Sequence, residues 1–179
     1  VGLATVQFAQ AAGLIVYGSS GSDAGDTLLI EQGISAQYVL NHRDDNHMNP
    51  YMSSTGTPSE STSQAKGFDI IIEMLANENL ALDIKALANG GTVAVVGNRG
   101  NVGICPRDLM KVDGSITGVA LGNVEPHELL QISQALHPLL VGSILKPVVR
   151  KVYALDQITN AHEDVLRPGA LGNIVIGIE

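Results

Sequence analysis

The chain has 179 residues, of which 45% are hydrophobic, 16% charged and 3% aromatic, with no Trp and a single cysteine, Cys105. Neither disorder nor a membrane span of about 20 apolar residues fits this composition, and one cysteine excludes both an intrachain disulfide and a structural zinc site of the usual kind from these residues alone. Eighteen acidic against ten basic residues leave a net charge of -8, and Lys and Arg are scattered singly apart from Arg150-Lys151, which disfavours a nucleic-acid partner.

In chain order, short apolar runs rich in β-branched residues alternate with amphipathic stretches. Residues 1–12 set Ala4, Phe8, Ala11 and Ala12 at helical spacing and stop at Gly13, a natural end for a helix. Residues 14–17 then read as a buried strand ended by Gly18-Ser19-Ser20-Gly21-Ser22, residues 26–32 as a second helix closing at Gly33, and residues 38–40 as a short strand. Between His42 and Lys66 the pattern dissolves into Asn, Ser, Thr and Pro, and residues 53–63, low in complexity, read as a surface loop. Residues 68–73 are apolar on both faces and are expected to be central in their sheet. Residues 80–88 read as a helix terminated by Asn89-Gly90-Gly91, and residues 92–96 as the next strand with Gly97 at its carboxyl end. A strand is expected over 115–121, a helix over 126–140 with Pro126 in its first turn, a strand over 148–153, a helix over 155–166, a turn over 168–172 and a last strand over 174–178. This succession predicts a doubly wound α/β sheet with ligands outside the carboxyl ends of its strands. The chain begins Val1-Gly2-Leu3-Ala4 with neither Met nor a charged leader region, so Val1 is not expected to be a translation start.

That rule selects the residues to weigh. Gly21 follows a strand and opens a helix, so it either serves a tight turn or lets a ligand approach the backbone. Folds that prefer NAD carry Asp or Glu at the end of this strand to grip the ribose hydroxyls; Ser and Gly stand here instead, which favours NADPH, and His42-Arg43 either stand beside its 2′-phosphate or are solvated surface. Gly97-Asn98-Arg99-Gly100 follows a valine-rich strand and suits either a planar ring lying on the backbone or a simple turn. Asn77 and Asn79 either bond a ligand or cap a helix starting at Leu80. His47, His127, His137 and His162 lack metal-ligand spacing. Cys105, before Pro106 in an expected loop, reads as a small apolar residue, and Asp69 and Glu73 bracket a strand with no visible cleft between them.

Asn41-His42-Arg43, Gly67-Phe68-Asp69-Ile70-Ile71-Ile72-Glu73-Met74-Leu75-Ala76-Asn77, Gly90-Gly91-Thr92-Val93 through Val96-Gly97-Asn98-Arg99-Gly100, Pro106-Arg107-Asp108 and Leu145-Lys146-Pro147-Val148 together resemble the zeta-crystallin family. These are the NADPH-dependent quinone oxidoreductases of the zinc-free branch of the medium-chain dehydrogenase/reductase superfamily. The resemblance runs over nearly the whole chain. It implies a Rossmann-like parallel sheet over 1–147, lacking its first, central strand, followed at 148–179 by the carboxyl-terminal segment of a GroES-like substrate domain. It implies an enzyme that reduces quinones, notably ortho-quinones, with NADPH and without zinc. The other readings are a catalytically silent crystallin-like or RNA-binding member, and an enoyl-type reductase. Carried over by residue, Val1 ends the pyrophosphate loop, Gly21 and His42 meet the adenosine end, Asn79 lies along the cofactor groove, and Val96, Gly97, Asn98 and Arg99 with Val119, Ala120 and Leu121 hold the nicotinamide half. Asn98 stands where the family has Ser, and the stretch 50–64 is longer than the family's helix, so nothing is transferred onto it. No catalytic acid or base is implied within these residues. The resemblance further implies a cytoplasmic homo-oligomer joined through the edge strand 115–121, and a chain that, without the missing strand, does not fold stably alone.

Overall fold

The structure, a computed structural model, describes residues 1–44, 46–51, 67–167, 169 and 171–178. The stretch 53–63, read as a surface loop, lies outside the described residues, as do Pro168 and Ala170 of the turn expected at 168–172. In chain order the elements are α1 (Gly2–Ala11), β1 (Gly18–Ser20), α2 (Asp23–Glu31), β2 (Val39–Asn41), β3 (Phe68–Glu73), α3 (Ala76–Lys85) and β4 (Leu87–Val95). There follow α4 (Pro106–Met110), β5 (Ser115–Gly118), α5 (Pro126–Val141), β6 (Val149–Ala154), α6 (Ile158–Val165) and β7 (Asn173–Gly177). Short 3-10 turns precede β2 and α6 and follow β5. The chain divides into two units, Val1–Asp45 with Pro126–Glu179, and Asn46–Glu125. Every strand pair among the described residues is parallel. No described helix is long and apolar enough to cross a membrane.

In the first unit, Gly13 (φ +74°) and Gly33 (φ +93°) end α1 and α2 in the left-handed conformation that glycine adopts without a Cβ penalty. Ser22 caps α2, its Oγ accepting from Gly25 N at 3.2 Å, and Asp23 and Asp26 in the first turn favour the positive helix end. Val6, Leu29 and Ile34 form the core, with Leu3, Val16, Tyr38 and Val39 packed on it. The strand expected at 14–17 lies elsewhere: the ladder runs from Gly18 to Ser20 against Val39–Asn41, while Leu14 and Ile15 are exposed. An apolar run marks a segment that could pair, but the partner's backbone decides which residues do. At the other end of the chain β6 and β7 flank α6, and Tyr153 Oη donates to the buried Asp164 at 2.9 Å while Arg150 pairs with the same carboxylate at 3.1 Å. Gln7 of α1 bonds Lys146 reciprocally, Nε2 to its carbonyl and Oε1 from its N–H, both at 2.9 Å.

The second unit is a three-stranded sheet in the order β3-β4-β5. Ala76, Leu80 and Ile84 of α3 pack on Leu87, Val93 and Val112. The buried positions of α3, including Asp83, recur at the spacing of one helix face. Five expectations need correction in this unit. The central strand is β4, not β3; β3 is an edge of this sheet and Ile70 is 59% exposed, because only one of its flanks is paired among the described residues. The helix expected at 80–88 runs instead from Ala76 to Lys85. Asn89-Gly90-Gly91 does not terminate it but forms a bulge inside β4, where the step from Leu87 to Thr92 is set against the shorter step from Phe68 to Ile70. Gly90 there takes φ +77° and donates to Val112 O at 2.6 Å, while Gly91 brings its backbone so near Phe68 O that a Cβ would lie 2.7 Å from it. Pro106, expected in a loop, begins α4 at a position where its missing N–H costs nothing. The strand expected at 115–121 stops at Gly118 and continues into the 3-10 turn Leu121–Asn123.

Candidate functional site

Parallel pairing sets the carboxyl ends of neighbouring strands side by side, which is why the loops after them converge. After β1 and β2, His42 N donates to Ser20 O at 3.0 Å, holding the two loops together, and Arg43 N donates to Asn41 Oδ1 at 3.0 Å. Gly21 is consequently roofed by two basic side chains: a Cβ on it would lie 2.5 Å from His42 Nε2 and 3.1 Å from Arg43 Nε. The nearby carboxylate of Asp26 is occupied by Ser20 Oγ at 2.7 Å. Val1, the N-cap of α1, is exposed and its side chain caps no N–H. It lines a cleft of about 580 Å³ with Gly2, Ser19, Ser20 and Gly25, so the free N–H groups of a helix start and the carboxyl end of a strand share one opening. That combination suits a phosphate-bearing ligand.

In the second unit Val96 N and Gly97 N both donate to Glu73 O, at 2.8 and 3.2 Å, and Ala76 N returns a bond to Gly97 O at 3.1 Å. The closure is so tight that a Cβ on Gly97 would collide with the carbonyl of Met74. Arg99 N donates to Asn77 Oδ1 at 2.9 Å, Asn98 Nδ2 to Gly100 O at 2.7 Å, and Val119 N to Val95 O at 2.9 Å. Val96, Val119 and Leu121 are exposed beyond the carboxyl ends of β4 and β5.

The structure thus joins Gly21 to His42, with Arg43 completing the roof, and joins the 96–99 loop to Asn77 and not to Asn79. Neither asparagine caps α3: the helix begins at Ala76, and its N-cap, Leu75, makes no side-chain bond. Asn79 Nδ2 instead lies 3.2 and 3.3 Å from the two oxygens of Glu73. Glu73, 7% exposed, also accepts from Leu75 N and is bonded to Asp83, 4% exposed. Burial first, then the charge of Glu73 and the bond to it, push the Asp83 carboxyl up to about 8. This acid pair was not read from the sequence. Its signal was an Asp on the apolar face of α3, three residues after Leu80 and next to Ile84. Cys105 is exposed, and among the described residues no group of three or more His, Cys, Asp or Glu could hold a metal.

Parallel strands joined through helices, with ligand-competent turns at their carboxyl ends, define an α/β fold of the Rossmann type. Residues 1–137 match the zinc-binding dehydrogenase family, and the chain belongs to that family. It is 41% identical to a quinone oxidoreductase of Mus musculus over 98% of its own length and 51% of that protein's. The chain spans about half the length of the curated relatives it matches. Among solved structures it shares its fold with the quinone oxidoreductase of Thermus thermophilus, solved also in its complex with NADPH (TM-score 0.77, 22% identity, 98% of this chain and 53% of that one). It shares it equally with the CurK enoyl reductase (TM-score 0.75, 23% identity, 99% and 52%).

The two glycines separate in a substitution test on the intact protein. Gly97→Ala forces backbone apart and is expected to cost about 2 kcal/mol or more in chemical denaturation, whereas Gly21→Ala needs only a turn of the His42 side chain and should cost under about 1 kcal/mol. Equal losses would contradict the geometry. Asp83 makes a second prediction: its raised pKa means that its contribution is fully present below the unfolded value of 3.8 and is lost as pH rises to about 8. Asp83→Asn should therefore flatten the fall in melting temperature between about pH 5 and about pH 8; a variant with the wild-type slope would refute the assignment.

Proposed function

We propose that the protein reduces quinones by hydride transfer from NADPH, without zinc. The observation that carries the cofactor reading is the roof of His42 and Arg43 over Gly21, at the end of a strand that bears Ser20 where an NAD-preferring fold bears a carboxylate. Two cationic or hydrogen-bonding side chains there suit a 2′-phosphate, and the α1 start at Val1 suits the pyrophosphate. Val96, Gly97, Asn98 and Arg99 with Val119, Ala120 and Leu121 are proposed to receive the nicotinamide end. The glycine backbone there offers a flat approach, and Val96 and Val119 offer apolar contact. Asn79 is proposed as a polar contact along the same groove. NADPH, when bound, supplies the hydride; these residues orient it and exclude water, and the proton that completes the quinol comes from solvent or from residues outside this chain. On this reading residues 1–147 are the cofactor-binding part and 148–179 belong to a substrate domain. The quinone reading is supported by the 41% identity to the mouse protein, and the enoyl-reductase alternative by the fold shared with CurK.

Loss of NADPH absorbance on adding an ortho-quinone to the full-length protein, undiminished by a chelator, is the expected result. An α,β-unsaturated thioester consumed in its place would select the alternative. Arg43→Ala combined with His42→Ala should raise KM for NADPH about tenfold or more and leave that for NADH near its starting value; equal effects on both cofactors would remove the 2′-phosphate assignment. We further propose a cytoplasmic homo-oligomer joined along β5, whose outer flank is unpaired among the described residues and needs covering. Sedimentation of the full-length protein as a monomer at micromolar concentration would overturn that.

A further inference from the structure

Glu73 and Asp83 lie behind the residues proposed for the cofactor, and no ligand role is assigned to either. Both are buried, and the pair sits where α3 packs on β3 and β4. Two ionised carboxylates have only acceptors and cannot bond one another; one proton between them turns repulsion into a hydrogen bond. Asp83 Oδ2 has no partner among the described residues, so an ionised Asp83 would be a buried, uncompensated charge, whereas a protonated one donates to Glu73. Glu73 has the donors that a carboxylate needs: Leu75 N and Asn79 Nδ2. The other charged groups of the packed elements are Asp69 on β3, Glu78 and Lys85 on α3, and Arg107 and Asp108 on α4; none of them acts on Asp83. Asp108 is engaged by Lys111 at 2.8 Å, and β4 carries no charged residue.

The amide of Asn79 matters because its two ends are chemically opposite and nearly equal in shape, so its neighbours choose its orientation. A carboxylate at Glu73 accepts only the NH2 end. This leaves Asn79 Oδ1, which has no bond among the described residues, as the end offered to a ligand. We propose that Glu73, buried beside Asp83, is a positioning residue that locks Asn79 as an acceptor toward a donor on the cofactor, a ribose hydroxyl or a carboxamide N–H. This rests on the cofactor reading above.

The test measures NADPH affinity of the intact protein by fluorescence titration at neutral pH. Glu73→Gln gives position 73 a donor as well as an acceptor, frees Asn79 to turn, and should weaken NADPH about tenfold. Asn79→Asp in the wild-type background places a carboxylate against Glu73 and should weaken binding at least as much. Combined with Glu73→Gln, the same change should restore most of the affinity, since the amide introduced at position 73 can donate to one oxygen of the new carboxylate and leave the other as the acceptor. A purely structural role for Glu73 gives no such rescue. Wild-type protein that binds NADPH while Glu73→Gln binds it equally well, or a double variant no better than the worse single one, overturns the positioning role alone. If Glu73→Gln does not fold, Asn79→Asp that binds NADPH as well as the wild type overturns it. Wild-type protein that binds no NADPH overturns the cofactor reading and this inference together.

Discussion

Glu73 is where the second unit is tied together. Its carbonyl accepts the N–H groups of Val96 and Gly97, which fixes the loop after β4 against the end of β3. Its side chain accepts from Leu75 at the start of α3 and from Asn79 one turn further on, and meets Asp83 on the next turn. One residue therefore ties a strand end, a helix start and a neighbouring loop. A buried anion would be costly in isolation, but here each donor it needs is supplied by an element that must be in place anyway. Satisfying the charge and assembling the loop cluster are thus the same event.

The two glycines at the strand ends show how differently one residue type can be used. At Gly97 the absent Cβ lets two backbones close on each other, and the requirement is architectural. At Gly21 the absent Cβ makes room for movable side chains, and the requirement concerns what those side chains can reach. The serines beside Gly21 cap α2 and occupy Asp26, so the turn is neutral where an acid would repel a phosphate. The turn is held by bonds among its own residues, and His42 and Arg43 lie above it.

Much of this was legible in the residues. The glycine stops at Gly13 and Gly33 were readable because positive φ leaves few alternatives, and β3 fell on the expected residues because Phe68 to Glu73 is a run rich in isoleucine that opens directly after Gly67. The glycine-rich loops and His42-Arg43 stood out because the strand succession told where to look. Register was not legible: pairing moved β1 past the most apolar residues, and Asn89-Gly90-Gly91 carries the composition of a helix stop while serving as a bulge in β4. Nor was the acid pair, because the strand signal around Glu73 and the helix signal around Asp83 do not say that the two carboxyls meet. The resemblance to the quinone oxidoreductases named groove residues, but it said nothing of what holds Asn79.

The reciprocal bonds between Gln7 and Lys146 span 139 residues, and the first unit is built from both ends of the chain, with the second unit encoded between them. During synthesis the second unit is complete on the nascent chain before residue 146 has emerged from the ribosome. Contacts so distant in sequence form late and slowly, so the segment around Lys146 docks on α1 after Val6 has packed on Leu29 and Ile34.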